Sequence, residues 1–237
     1  MYYLSASAHC AEFKEGAVLL DLRTGDYLGI DAAALPHLKS WVANWPSPAC
    51  SDSGSQTRTV SGHTLIEDLL ARGILTSLEP ENRRPCPAIP LTSMTTTGFP
   101  TALRSVPVHH VLAFLQALLH VPLRGRRNTL MPLLGWLDRR QHLIESNSAN
   151  LHTLHSLISS FRQLRIWFYT AHDQCLFDSL VLSVFLTLLK VHCTFVIAVA
   201  SKPFLAHAWV QVGDMVLNDT AEHVQEFHPL LGVGGSA

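Results

Sequence analysis

Apolar positions follow two rhythms along residues 1–78. Around Tyr2 to Ser5, and again through AVLLDLRTGDYLGID, they run in extended stretches, the second broken by Arg23-Thr24-Gly25-Asp26. Gly25 can take positive φ, so this break predicts a β-hairpin. The rhythm then turns helical: Leu35, Leu38, Val42 and Trp45 share a face, with Asp31 placed as N-cap and Pro36 in the first turn. After a Ser/Pro/Gly-rich loop at 46–62, Leu65, Ile66, Leu69 and Leu70 form a second stripe closed by Gly73, and Ile74 to Thr76 can return as a strand.

Residues 79–104, rich in Pro, Thr and Ser and without apolar period, read as an exposed connection. Beyond it, Val108, Val111, Leu112, Leu115, Leu118 and Leu119 share a helical face expected to pack as core, with Pro122 ending the run. A further helix is expected from about Leu130 to Leu143. The stretch Leu176 to Ala200 is apolar enough to raise the question of a membrane span. It holds Asp178, Lys190 and His192 and shifts midway from helical to strand-like composition, so a buried helix followed by a core strand explains it better. Lys202-Pro203 marks a turn, and two strand-like runs flank Gly213-Asp214 as a hairpin. The fold class is therefore α+β. Residues 1–78 form one small domain, 79–104 a linker and 105–237 a second domain.

Composition narrows the partners. Of 237 residues 48% are hydrophobic and 15% charged, and the formal charge is −1. Such a chain can bury a core, and its charge gives no reason to expect nucleic acid or anionic membrane as the main partner. The basic cluster Arg124, Arg126, Arg127, Arg139 and Arg140 reads as a solvated face. Five scattered cysteines without CxxC spacing do not make a disulfide scaffold. With no secretory signal at the N-terminus, the expectation is a cytoplasmic protein.

The chemistry concentrates in HDQCLFDSLVLSVFLTLLKVHCTFVIAVASKPFLAHAWVQVGDMVLND. Leu176, Leu180, Val184 and Leu188 follow Cys175 at helical spacing, so a thiol sits at a helix N-terminus, where the dipole favours thiolate. His207 opens one arm of the Gly213-Asp214 hairpin and Asp219 ends the other. A two-residue loop would pair Ala208 with Asp219 and turn His207 to the opposite face, whereas a three-residue loop or a bulge lets the pair meet. If they meet, His207 serves as base and Asp219 orients it. The Cys175 amide and the Gln174 side chain are candidate oxyanion donors. Each residue also has a plainer reading: Cys175 as inert core, His207 as a structural histidine, Asp219 as a turn or cap residue. A metal site from His172, Cys175, His192 and Cys193 fits poorly, because adjacent His192 and Cys193 would point apart if extended, and no metal is expected.

The Cys-Leu helix, the VIAV strand and PFLAHAWVQVGDMVLND are similar to the lasso-peptide B proteins, the McjB-type leader peptidases. VLLDLRTGDYLGID, a helix and TLIEDLLARGILTS resemble PqqD-like peptide-recognition domains, which are winged-helix-like. The resemblance implies a papain/transglutaminase-like second domain with Cys175 as nucleophile, His207 as base and Asp219 as orienting acid. It implies that the precursor's leader adds as a strand to the edge Asp26 to Ile30, near Leu69 and Leu70. Asp26, Tyr27, Leu28, Ile30, Leu69 and Leu70 are then the leader-binding candidates, by β-augmentation. The plainer reading of Tyr27, Leu28 and Ile30 is core strand. Implied partners are a lasso precursor peptide and an asparagine-synthetase-like cyclase that joins the freed core amine to an Asp or Glu side chain. The chain departs from the family's basic-Gly turn, having Lys190-Val191-His192 instead. ATP dependence has been proposed for the family, but no P-loop or Gly-rich phosphate loop is present and no cofactor is expected. Two other readings stand beside leader hydrolysis: acyl transfer to an amine by the same triad, and a non-catalytic peptide-binding scaffold.

Overall fold

In the computed structural model of the protein, which describes residues 1–46, 62–80, 87–94, 105–124, 130–145, 150–169 and 174–235, the chain opens on a two-residue strand, β1 (Tyr3–Leu4). It continues into a strand the apolar rhythm conceals, β2 (Ala8–Phe13). This pairs antiparallel with β3 (Gly16–Asp21), which pairs with β4 (Asp26–Asp31), giving the order β2-β3-β4. The central strand reads GAVLLD and is buried at every position, while β4 is an edge with Asp26, Gly29 and Asp31 exposed. Gly25 takes φ 79° in the turn between them, the left-handed value its position requires.

Asp31 does not cap the following helix. A 3-10 turn at Ala32–Ala34 intervenes, and the Asp31 side chain makes no cap hydrogen bond. Helix α1 (Leu35–Trp41) begins only afterwards, with Pro36 in its first turn. Helix α2 (Gly62–Ala71) ends as the glycine signal implies: Gly73 at φ 67° donates to the Leu70 carbonyl and Ile74 to that of Leu69. These two bonds close the helix C-terminus and feed β5 (Leu75–Thr76), which pairs with β1. Leu4, Leu19, Leu38 and Leu69 are fully buried in the shared core. The first unit spans Met1–Arg84 together with Ser201–Leu205.

The second unit holds Pro85–Ala200 and Ala206–Ala237. Residues 87–94, read from sequence as exposed connection, instead supply β6 (Thr92–Ser93), which lies parallel to Met215–Val216 with Met94 buried behind it. Residues 81–86 and 95–104 of that connection lie outside the described residues, as do those of the 46–62 loop except Pro46 and Gly62. Four helices follow: α3 (Val108–Arg124), α4 (Met131–Gln141), α5 (Leu151–Arg165) and α6 (Cys175–Leu188). Then come β7 (Thr194–Ala200), β8 (Leu205–Val212), β9 (Met215–Val216), the short α7 (Ala221–Val224) and β10 (His228–Val233). The sheet order is β10-β7-β8-β9-β6. Helix α6 is buried on all sides from Asp178 to Thr187, as a helix apolar all round should be.

The core face of α3 is not the one the leucine spacing implies. His110, Ala113, Phe114, Ala117 and Val121 are buried, whereas Val108, Leu112, Leu115 and Leu119 are exposed. Helix α3 packs against α6 with the small Ala113 and Ala117 on its buried face, and its Phe114 meets Phe161 of α5. Pro122 does not end the helix, which runs on to Arg124. Among the described residues no helix is long and apolar enough to cross a membrane.

Candidate active site

Cys175 is the first residue of α6, and Gln174 is its N-cap. Gln174 is exposed and its side chain makes no cap bond, so it leaves the first helical N–H groups uncapped by a side chain of its own. Cys175 itself is half-buried, whereas Cys10 and Cys193 are buried. Cys50 and Cys86 lie outside the described residues.

The β8–β9 turn is the two-residue Gly213-Asp214 loop, with Gln211 opposite Val216 and Val212 opposite Met215. That loop length was the one that should have kept His207 and Asp219 apart, yet His207 Nε2 lies 2.5 Å from Asp219 Oδ2. The ladder ends early instead. Leu217 N–H still donates to the Val210 carbonyl, but the Val210 N–H donates to Asn218 Oδ1 at 2.9 Å rather than to a strand carbonyl. The Leu217 carbonyl accepts from Arg162 at 3.1 Å. Residues Leu217–Asp219 therefore bend out of register, and the bend returns Asp219 to His207.

His207 also hydrogen-bonds Cys175. Since Nε2 is engaged by Asp219, Nδ1 is the ring nitrogen left for the thiol. The His207 hydrogen bond is the main influence lowering the Cys175 pKa, outweighing burial, with help from the imidazole charge and the backbone of Ala208 and Leu176. Burial opposes charge on His207, but hydrogen bonds to Asp219 and Cys175 together with their negative charges hold it up at about 9. Burial likewise opposes charge on Asp219, and bonds from His207, the Thr220 backbone and His223 overcome it and lower its pKa. Cys193 makes the contrast: burial pushes its thiol up to about 12, and it bonds Gln141. Of these two thiols, Cys175 alone is poised as a nucleophile.

Two groups in the site escaped sequence reasoning. His223 Nδ1 lies 2.8 Å from Asp219 Oδ2, so one carboxylate oxygen meets two imidazoles. The i,i+4 spacing from Asp219 to His223 is the signal that could have found it, given α7. Asp178, one turn into α6 and 2% exposed, is held by Arg165 through both oxygens at 3.2 Å and by Tyr169 at 3.0 Å. The Asn218 amide reaches both Asp178 and Ser179 Oγ. This polar cluster joins the nucleophile's helix to the bend that carries Asp219.

The residues singled out for leader binding divide. Asp26 is exposed on the β4 edge, and Tyr27 lies edge-on to Phe204 with ring centroids 5.5 Å apart. Leu28 and Leu70 are partly buried against the core, while Ile30 and Leu69 are core residues whose side chains are already taken up. A cleft of about 390 Å³ in this unit is lined by Phe13, Gly16, Tyr27, Ile30, Lys202 and Phe204, among others. His172 lies outside the described residues. His192 and Cys193 follow the C-terminus of α6, whose 14 residues span about 20 Å, so they cannot share an ion with Cys175.

A thiolate beside an imidazolium that is in turn held by a carboxylate can attack a carbonyl, form a thioester and pass protons. The Transglutaminase-like superfamily model matches residues 117–232, a span that begins inside α3, ends in β10 and includes Cys175, His207 and Asp219. The chain thus carries a transglutaminase-like domain, consistent with a cysteine-peptidase or acyltransferase kind of function. No curated protein and no solved structure matches the chain.

Proposed function

We propose that the chain is a cysteine peptidase that removes the leader from a ribosomally made lasso precursor. The observation that carries this reading is the convergence of Cys175, His207 and Asp219 at the N-terminus of a buried helix. The Cys175 thiolate attacks the carbonyl at the leader–core junction. The Cys175 backbone N–H and the Gln174 side-chain amide would take up the developing oxyanion. His207 gives its Nδ1 proton to the departing α-amine of the core, leaving the leader as a thioester on Cys175. His207 then takes a proton from water, which attacks the thioester and frees the leader as an acid. Asp219 holds the imidazole in place and favours its cationic form through both steps.

The first unit would present the leader. Strand β4 is a sheet edge whose outer backbone groups can pair with an extended peptide, and the adjoining cleft can take a side chain. The freed core would pass to an asparagine-synthetase-like cyclase. We infer no cofactor for the hydrolysis itself and a cytoplasmic site of action.

Mass spectrometry of a lasso precursor incubated with the protein and with Cys175→Ala, with and without the cyclase, tests the reading. A single cut at the leader–core junction, absent in the variant, is the expected result. Leader binding without cutting by either protein, even with the cyclase present, would replace the peptidase with a scaffold. A leader recovered as an amide of an added amine rather than as a free acid would make the enzyme an acyltransferase.

A further inference from the structure

Asp219 Oδ2 lies 2.5 Å from His207 Nε2 and 2.8 Å from His223 Nδ1. One nitrogen from each ring and a carboxylate oxygen lie within 4.8 Å of one another. From this geometry we infer that His207, Asp219 and His223 form a binding site for a divalent transition metal of the zinc type. Two imidazoles and one carboxylate are the ligand set that suits zinc and cobalt rather than magnesium or calcium, and a fourth position stays open to water.

The change needed is small. Ligand bonds of about 2.0–2.1 Å in a tetrahedral site set neighbouring donors about 3.3 Å apart, so each nitrogen must withdraw from Oδ2 by less than about 1 Å and the two nitrogens must close on each other by no more than about 1.5 Å. His223 has the freedom to do so, with a side chain 48% exposed against 13% for His207. Phe227, with centroids 5.0 Å and 5.4 Å from the two rings, walls the site on an apolar side. The ion takes the place of the protons that Asp219 shares with the two rings.

Occupancy would stop turnover, a consequence that rests on the peptidase reading, although the binding itself does not. With a metal on Nε2, neutral His207 carries its proton on Nδ1. It would have to become an imidazolate before it could accept a proton from water. Metal loading and hydrolysis are therefore mutually exclusive at this site.

The test is a titration of chelator-stripped full-length protein with Zn²⁺ against a chromophoric chelator, in wild type, His223→Gln and Cys175→Ala. The expected result is one tight equivalent in wild type and in Cys175→Ala, weakened at least tenfold in His223→Gln. A second measurement needs no variant: the Co²⁺ complex should show the spectrum of a four-coordinate nitrogen and oxygen site without a sulfur-to-metal charge-transfer band. Binding equally tight in His223→Gln overturns the site, and so does loss of the equivalent in Cys175→Ala or a sulfur band in the cobalt spectrum. If the metal binds as expected but no precursor is cut in its absence, the site stands and the peptidase reading falls.

Discussion

The side-chain amide of Asn218 donates to Ser179 Oγ across 2.9 Å, tying the bend that carries Asp219 to the helix that carries Cys175. Ser179 passes the connection on by donating to the Ala208 carbonyl at 2.9 Å, next to His207. Asn218 thus acts as a positioning residue, and its own carbonyl holds the Val210 N–H that the sheet ladder abandons. Asn218→Ala leaves that buried N–H unpaired and should cost about 1–3 kcal/mol of stability. It should also slow hydrolysis about 10- to 100-fold with little change in KM, because only the mutual placement of the reacting groups is disturbed. Thermal melts and steady-state kinetics read the two effects separately. A stability loss with unaltered kcat would reduce Asn218 to a purely structural role.

The coupled Cys175–His207 pair predicts a pH profile. The thiol titrates below its ordinary value and His207 near 9, so the thiolate–imidazolium form prevails between those limits. Iodoacetamide labelling of Cys175, followed by peptide mass spectrometry, should already be fast at pH values where an ordinary thiol is protonated. Hydrolysis should fall on the alkaline side as His207 loses its proton. Asp219→Asn removes the charge that raises His207, moving that alkaline limb toward neutrality and lowering kcat by about 10²- to 10⁴-fold. The same shift bears on folding. Because the folded pKa of His207 is raised, its stabilising contribution is complete below its ordinary value and is lost as pH rises through about 9. A labelling profile in wild type with the midpoint of a free thiol would contradict the ion pair.

Much of this was legible because the decisive signals were local. Gly25 and Gly73 punctuate turns through their backbone freedom, and the apolar run after Cys175 marks a helix wherever it packs. What stayed hidden depended on partners distant in sequence. β2 reads AHCAEF, a mixture with no clear period, and becomes a strand because β3 lies beside it. A two-residue loop separates His207 from Asp219 only if the ladder runs on to Asp219. No alternation rule could announce that the Asn218 side chain and Arg162 would take over the bonds of Val210 and Leu217. Asp178 counted only as evidence against a membrane span, and its role as anchor needed Arg165 and Tyr169 from another segment.

Helix α3 offers a direct test of burial against spacing. Ala117 is fully buried, so Ala117→Leu should overpack the contact and destabilise by about 1–3 kcal/mol. Leu112 is 61% exposed, and Leu112→Gln should change stability by no more than about 0.5 kcal/mol. Spacing alone puts Leu112 in the core and would reverse the order. Chemical denaturation of the two variants decides which face is buried.

Lys190 carries the last prediction. The turn after α6 closes with Lys190 N–H donating to the Thr187 carbonyl at 3.1 Å and Val191 N–H to that of Leu186 at 2.9 Å. This is the same paired closure seen at Gly73, and it requires the first of the two donors to be left-handed. Lys190 adopts φ 58°, in the region a side chain disfavours by about 1–2 kcal/mol. A conformation that glycine takes without strain is therefore filled here by a lysine. Lys190→Gly relieves the strain while loosening the unfolded chain, so the net gain should be about 1 kcal/mol or slightly less. Lys190→Val, whose branched side chain is worse in that region, should instead lose stability. Melting temperatures that move up for glycine and down for valine would establish the strained turn. If the glycine variant melts lower than wild type, the left-handed turn is not what limits the stability of this helix end.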